Sequence, residues 1–145
     1  MSLNLLKVAG LALTTVLLAT GPVFAAPPPL PFSPYGTVKV NNANVPNWVV
    51  ISAQCGGKIF RQTITMINSG ESWYFNLDIP GDDAETAGIK EGCTSNETVT
   101  FKIGDLTASQ TALWVSGGTS RINITATGAM PAPSRTPTYL PLMLR

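Results

Sequence analysis

The chain contains no histidine. That absence removes His general bases, the Ser-His and Cys-His nucleophile pairs, and most catalytic zinc sites. Charge is scarce as well. Charged residues make up 12% of the chain, against about 25% in an ordinary soluble protein. Nine basic side chains stand against eight acidic ones, and loss of Lys7 with an N-terminal leader balances them. A near-neutral protein has no basic footprint for nucleic acid and no electrostatic pull towards anionic lipid. Beyond the leader no apolar run is long enough to span a membrane, and no segment has helical periodicity. With no nucleophile signature either, the expectation is a protein that is not an enzyme.

What is present begins with that leader. Lys7 provides a short basic region, residues 8–19 are apolar, and Val23-Phe24-Ala25 places small residues at the minus-three and minus-one positions. This predicts a signal peptide over residues 1–25, with cleavage between Ala25 and Ala26. The expected destination is secreted or extracellular, with retention at the cell surface as one outcome. Export gives meaning to the two cysteines, Cys55 and Cys93. In an oxidising compartment an even pair predicts a disulfide. Closing that loop stabilises by about 4 kcal/mol in the chain-entropy view.

Residues 26–34 are proline-rich and read as an extended tether. Over residues 35–127 apolar and polar residues alternate with period two, interrupted by Gly, Asn and Pro. The alternation predicts seven short strands. Val38 and Val40 face inward on the first; Val49 and Ile51 on the second; Phe60, Ile64 and Met66 on the third. Trp73, Phe75, Leu77 and Ile79 face inward on the fourth, with Tyr74 outward. Val99, Phe101 and Ile103 follow, then a weaker strand ending near Trp114, then Ile122 and Ile124. Each strand has one apolar face to bury. The expected fold is therefore all-β, a seven-stranded, mainly antiparallel β-sandwich, with a small β-barrel as the alternative. Residues 128–138 form a second proline-rich linker, and residues 139–145 an apolar C-terminal tail.

Two stretches carry a resemblance. Tyr35-Gly36-Thr37-Val38-Lys39-Val40, then Pro46 and Val49-Val50-Ile51-Ser52-Ala53, resembles the opening of carboxypeptidase-regulatory-like domains. These are transthyretin-like (prealbumin-like) β-sandwiches of bacterial secreted surface proteins. Gly70-Glu71-Ser72-Trp73-Tyr74-Phe75 is similar to their G-x-Y-x-φ strand. The ending Tyr139-Leu140-Pro141-Leu142-Met143-Leu144-Arg145 is similar to the Y-L-P-L-x-L-R tails of secreted surface proteins. The resemblance implies a transthyretin- or Ig-like sandwich attached to a surface.

Three constellations could carry chemistry. Asp78, Asp82, Asp83, Glu85 and Glu91 crowd a glycine-containing loop. Ca²⁺ takes about six to eight oxygens from loops of this kind, so Ca²⁺ is the one cofactor to consider. The same acids could instead simply solvate the loop; a glycosidase pair would need a walled cleft. Trp48 and Tyr74 take outward parity and Tyr35 begins a strand, and the three could stack sugar rings. Lys39 and Asn123 resemble the pair that forms isopeptide crosslinks in some pilin sandwiches. Asn96-Glu97-Thr98 and Asn123-Ile124-Thr125 fit the glycosylation pattern. The expected function is a structural or adhesive module, with a small carbohydrate-binding or Ca²⁺-dependent module as the alternative. Cell-envelope polysaccharide or other surface proteins would be its partners.

Overall fold

Val, Ile, Thr and aromatic residues favour a pleated, half-buried surface, and the alternating segments form strands. The computed structural model describes residues 27–134 apart from residue 87. The expected leader, the Ala25–Ala26 cleavage point and the tail at residues 139–145 lie outside the described residues. The strands are β1 (Ser33–Val40), β2 (Ala43–Asn44), β3 (Val50–Cys55), β4 (Lys58–Ile64), β5 (Met66–Asn68), β6 (Glu71–Tyr74), β7 (Thr98–Ile103), β8 (Leu106–Leu113), β9 (Thr119–Arg121) and β10 (Ile124–Ala126). The protein is all-β, two facing sheets with a curled, barrel-like seam.

One sheet has four antiparallel strands in the order β4-β3-β7-β8. The other is built around β1. On one flank β1 pairs in parallel with β9 and then β10. On the other it pairs antiparallel with β6 and β2, and β5 closes the edge beside β6. Val38, Val40, Ile51, Phe101, Ile103 and Ile124 meet between the sheets, all fully buried.

Seven expected strands become ten segments for three local reasons. β2 is a short addition after the Asn41-Asn42 turn, where both residues take the left-handed conformation that Asn tolerates. The last strand is broken at Ile122 and Asn123 into β9 and β10. The third is broken at Thr65, where the chain leaves one sheet and enters the other.

Thr65 is fully buried, and a buried hydroxyl must find partners. Its Oγ1 accepts from Val49 N–H at 3.0 Å and donates to the Pro46 carbonyl at 2.7 Å. Its backbone exchanges bonds with Trp48 and Val49. Replacing Thr65 with valine keeps the shape and strands the Val49 amide. The expected loss is about 2 kcal/mol, read from the midpoint of a urea titration.

At the opposite seam Gln110 of β8 reaches across to β10. Its Oε1 accepts from Thr125 N–H at 2.6 Å and its Nε2 donates to Thr125 Oγ1 at 3.0 Å. A side-chain amide thus stands in for the ladder that a closed barrel would have there.

Both proline-rich segments differ from simple tethers where they are described. Phe32 is buried in the core and exchanges two backbone hydrogen bonds with Ile79. Pro29 lies against Gly81. At the far end Pro131 rests on Gly104, and Ser134 donates from both its N–H and its hydroxyl to the Trp48 carbonyl. Proline lacks an N–H, so these segments dock by ring contacts and a few flanking bonds.

Candidate ligand-binding face

The outer face of the β1 sheet follows from its register. Along β1 the inward positions hold Val38 and Val40, so Ser33, Tyr35, Thr37 and Lys39 point outward. Thr37 is opposite Trp73 on β6, and Trp73 is opposite Met66 on β5. Tyr35 is level with Arg121 on β9. Phe75 follows Tyr74 and shares the outward parity of Trp73. The result is an apolar and aromatic strip running across four strands. Tyr35, Phe75 and Met66 are 40%, 41% and 43% exposed, while Trp73 between them is half-buried and Thr37 is buried, so the strip opens to solvent at those three side chains. The Arg121 guanidinium stands 5.0 Å from the Trp73 ring centroid, a cation–π distance. It carries a fork of donors onto an otherwise apolar surface. Polar groups close the two ends of the strip. Lys39 pairs with Glu71 at 3.7 Å, and Ser33 Oγ donates to Asp78 Oδ1 at 2.6 Å.

Compared with known protein families, curated proteins and solved structures, the chain matches none.

This face differs from the one expected. Of Tyr35, Trp48 and Tyr74, only Tyr35 belongs to it. Tyr74 is fully buried, its ring 6.3 Å from that of Phe101 and its hydroxyl donating to the Ile122 carbonyl at 2.9 Å. Burial pushes its phenol well above the ordinary tyrosine pKa. The physical reason is Asn76. Its φ of 57° puts one residue in the left-handed region, and simple alternation stops there. Leu77 and Ile79 still face inward, but upstream the phase is reversed. Ser72 and Tyr74 turn in, while Trp73 and Phe75 turn out. An asparagine between two apolar pairs was the signal that could have exposed this, since Asn is the non-glycine residue that enters that conformation most readily.

Trp48 is exposed but sits elsewhere, at the end of the sandwich beside Thr65 and Ser134. It has a φ of 69°, uncommon for a bulky residue. Bonds from both sides hold it there: its N–H donates to the Thr65 carbonyl, and its carbonyl accepts from Ser134.

The acidic loop spends much of its charge on itself. Asp82 Oδ1 accepts from Glu91 N–H, Asp83 Oδ1 from Glu85 N–H, and Glu91 Oε2 from the Thr86 hydroxyl. Asp78 turns away to Ser33. Among the described residues no three acidic, cysteine or histidine side chains converge as a metal site would need. Nearby, Glu97 accepts from Lys90 Nζ and from the Thr94 N–H and hydroxyl. The Lys90 bond leads in lowering its pKa below the ordinary carboxylate value.

The loop is anchored by the Cys55–Cys93 disulfide, whose Cα atoms are 5.7 Å apart. Cys93 exchanges backbone bonds with the strand-like segment at Pro80 and Asp82. Trp114 is sealed beneath it, with Nε1 donating to the Ile79 carbonyl at 3.0 Å. A Cβ at Gly81 would come 2.6 Å from the Trp114 ring, so glycine is required for that approach.

Lys39 and Asn123 are not partners. Lys39 meets Glu71, and Asn123 Oδ1 accepts from Thr37 N–H at 3.1 Å.

Proposed function

We propose that this protein is a non-enzymatic module, exported to the cell surface, that adheres to polysaccharide through the outer face of its six-stranded sheet. The observation that supports this reading is the open strip of Tyr35, Trp73 and Phe75 with Arg121 over the indole. Sugar rings expose flat C–H faces that stack on aromatic rings, and an exposed aromatic strip offers them apolar contact. Arg121 supplies hydrogen-bond donors of fixed direction to hydroxyl or carboxylate oxygens. Surface apolar patches of this kind mark interaction sites more often than accidents. Retention would be supplied by the chain's terminal segments, leaving this face free.

The test is a pull-down on a panel of insoluble polysaccharides that includes isolated cell-wall material. Trp73→Ala is expected to weaken retention about tenfold or more, equivalent to about 1.4 kcal/mol, while Trp48→Ala leaves it unchanged. Equal binding by native protein and Trp73→Ala would remove the strip as the contact surface. No binding to any member of the panel would remove the carbohydrate class.

A further inference from the structure

The outermost connections of the sandwich raise a question that ligand binding does not answer: what happens when the two ends of the chain are pulled apart. The first strand, β1, and the last, β9 continued by β10, are neighbours and run in parallel. Ser33, where β1 begins, is level with Thr119. Val40, where β1 ends, is level with Ala126, where β10 ends. The chain therefore enters at one end of this paired ladder and leaves at the other. Tension between the two ends slides β1 against β9 and β10 along their common axis. Every bond between them is loaded together, and none can open first as in a zipper.

The bonds along this seam form a continuous series. Ser33 N–H donates to the Gly118 carbonyl at 2.9 Å, Ile122 N–H to the Tyr35 carbonyl at 2.7 Å, and Asn41 N–H to the Ala126 carbonyl at 3.0 Å. Between them, where β9 breaks from β10, the backbone ladder would have a gap. Asn123 fills it, with its side-chain oxygen accepting from Thr37 N–H at 3.1 Å. Gly36 allows this close passage, because a Cβ there would collide with the Ile122 carbonyl. Tyr74 ties the same carbonyl from the core side at 2.9 Å. The break in the last strand is thus bridged rather than left as a weak point.

We infer that the domain is a force-bearing link, with the β1–β9–β10 seam as its mechanical clamp and Asn123 as the residue that keeps the clamp continuous. The Cys55–Cys93 bridge sets how far the chain can extend once the clamp opens. It encloses none of the clamp strands, so it leaves the rupture itself unchanged and withholds 38 residues of separation from the extension. This inference stands on backbone pairing and is independent of the aromatic strip and its ligand.

Forced unfolding reports the unfolding barrier in the direction pulled, so single-molecule stretching tests the inference. The whole chain, refolded under oxidising conditions, is stretched between handles at its two ends. It is then stretched between the N-terminal handle and one placed at Val115, exposed at the same end as Ser33. The second geometry peels β1 from β9. The expected result is a high rupture force in the end-to-end geometry and a clearly lower one in the peeling geometry. Asn123→Ala should bring the end-to-end force down towards the peeling value, and Asn123→Asp, which keeps the oxygen acceptor, should restore it. Reduction should leave the force unchanged and lengthen the extension by on the order of 130 Å, from 38 residues at about 3.5 Å each. Equal forces in the two geometries would overturn the inference, and that comparison in the native chain decides the matter even if Asn123→Ala does not fold. A failed pull-down on polysaccharide would leave these forces untouched.

Discussion

Tyr74→Ala is expected to destabilise the fold by about 3–5 kcal/mol, the cost of emptying a large aromatic site in a core. Trp73→Ala, one residue earlier, is expected to cost only about 1 kcal/mol. The contrast runs against size, since indole is the larger ring. It follows from which way each side chain points. Tyr74 is fully buried between the sheets. Its removal leaves a cavity beside Phe101 and deprives the Ile122 carbonyl of its hydroxyl donor. Trp73 lies on the outer face, where its main contacts are its strand neighbours and the Arg121 guanidinium. Guanidinium titration of both variants measures the difference. Tyr74→Phe divides the larger loss further. It keeps the ring and gives up only the bond to Ile122, worth about 1 kcal/mol. If Trp73→Ala proved the more damaging change, strict alternation through β6 would be restored and the outer strip would not exist.

Joint replacement of Cys55 and Cys93 by alanine is expected to cost about 4 kcal/mol. The net stability of a domain is about 5–15 kcal/mol, so this change removes a large part of it. Much of the effect lies in the unfolded chain, which gains freedom when residues 55–93 are no longer closed into a loop. In the folded state the bridge joins the end of β3 to the acidic loop. That loop lies over Trp114 through Gly81. The denaturation midpoint should fall and the slope against denaturant should rise, because an uncrosslinked chain exposes more surface on unfolding. Reduction of the native protein should produce the same shift. An unchanged midpoint would mean that the loop contributes nothing beyond its own contacts.

The alternation of apolar and polar residues was sufficient to identify β1, β3 and β7, where Val38, Val40, Ile51, Val99, Phe101 and Ile103 all face inward. Each is bordered on both sides by other strands, and period-two reading is dependable in that setting. The cysteine pair was equally legible, because an even count behind an expected leader leaves few alternatives. Legibility failed where single residues changed the phase. Asn76 reversed the parity of β6, so Tyr74 went inside and Trp73 and Phe75 went out. Thr65 lies between Ile64 and Met66, where alternation alone points it outward, yet it is buried through bonds to Val49 and Pro46, distant in sequence. Asn123 replaces a backbone acceptor with a side-chain one, which no periodicity encodes. Pro29 and Phe32 resembled a tether because proline disguises a segment that docks by contact.

The candidate face was legible only in part. Of the aromatic candidates Tyr35 alone lies on this face; Tyr74 went inside and Trp73 and Phe75 joined the strip through the reversed phase. Arg121 entered through pairing between the last strand and the first, a contact between residues far apart in the chain. Such pairings are decided by tertiary packing rather than by local pattern.

The inside-out arrangement of β6 is what the outer strip depends on, and hydroxyl-radical footprinting with mass spectrometry measures it directly. In the native state Trp73 and Phe75 should be oxidised while Tyr74 stays protected, and Tyr74 should become reactive only on unfolding. Oxidation of Tyr74 in the native protein, with Phe75 protected, would contradict the arrangement and the binding face built on it.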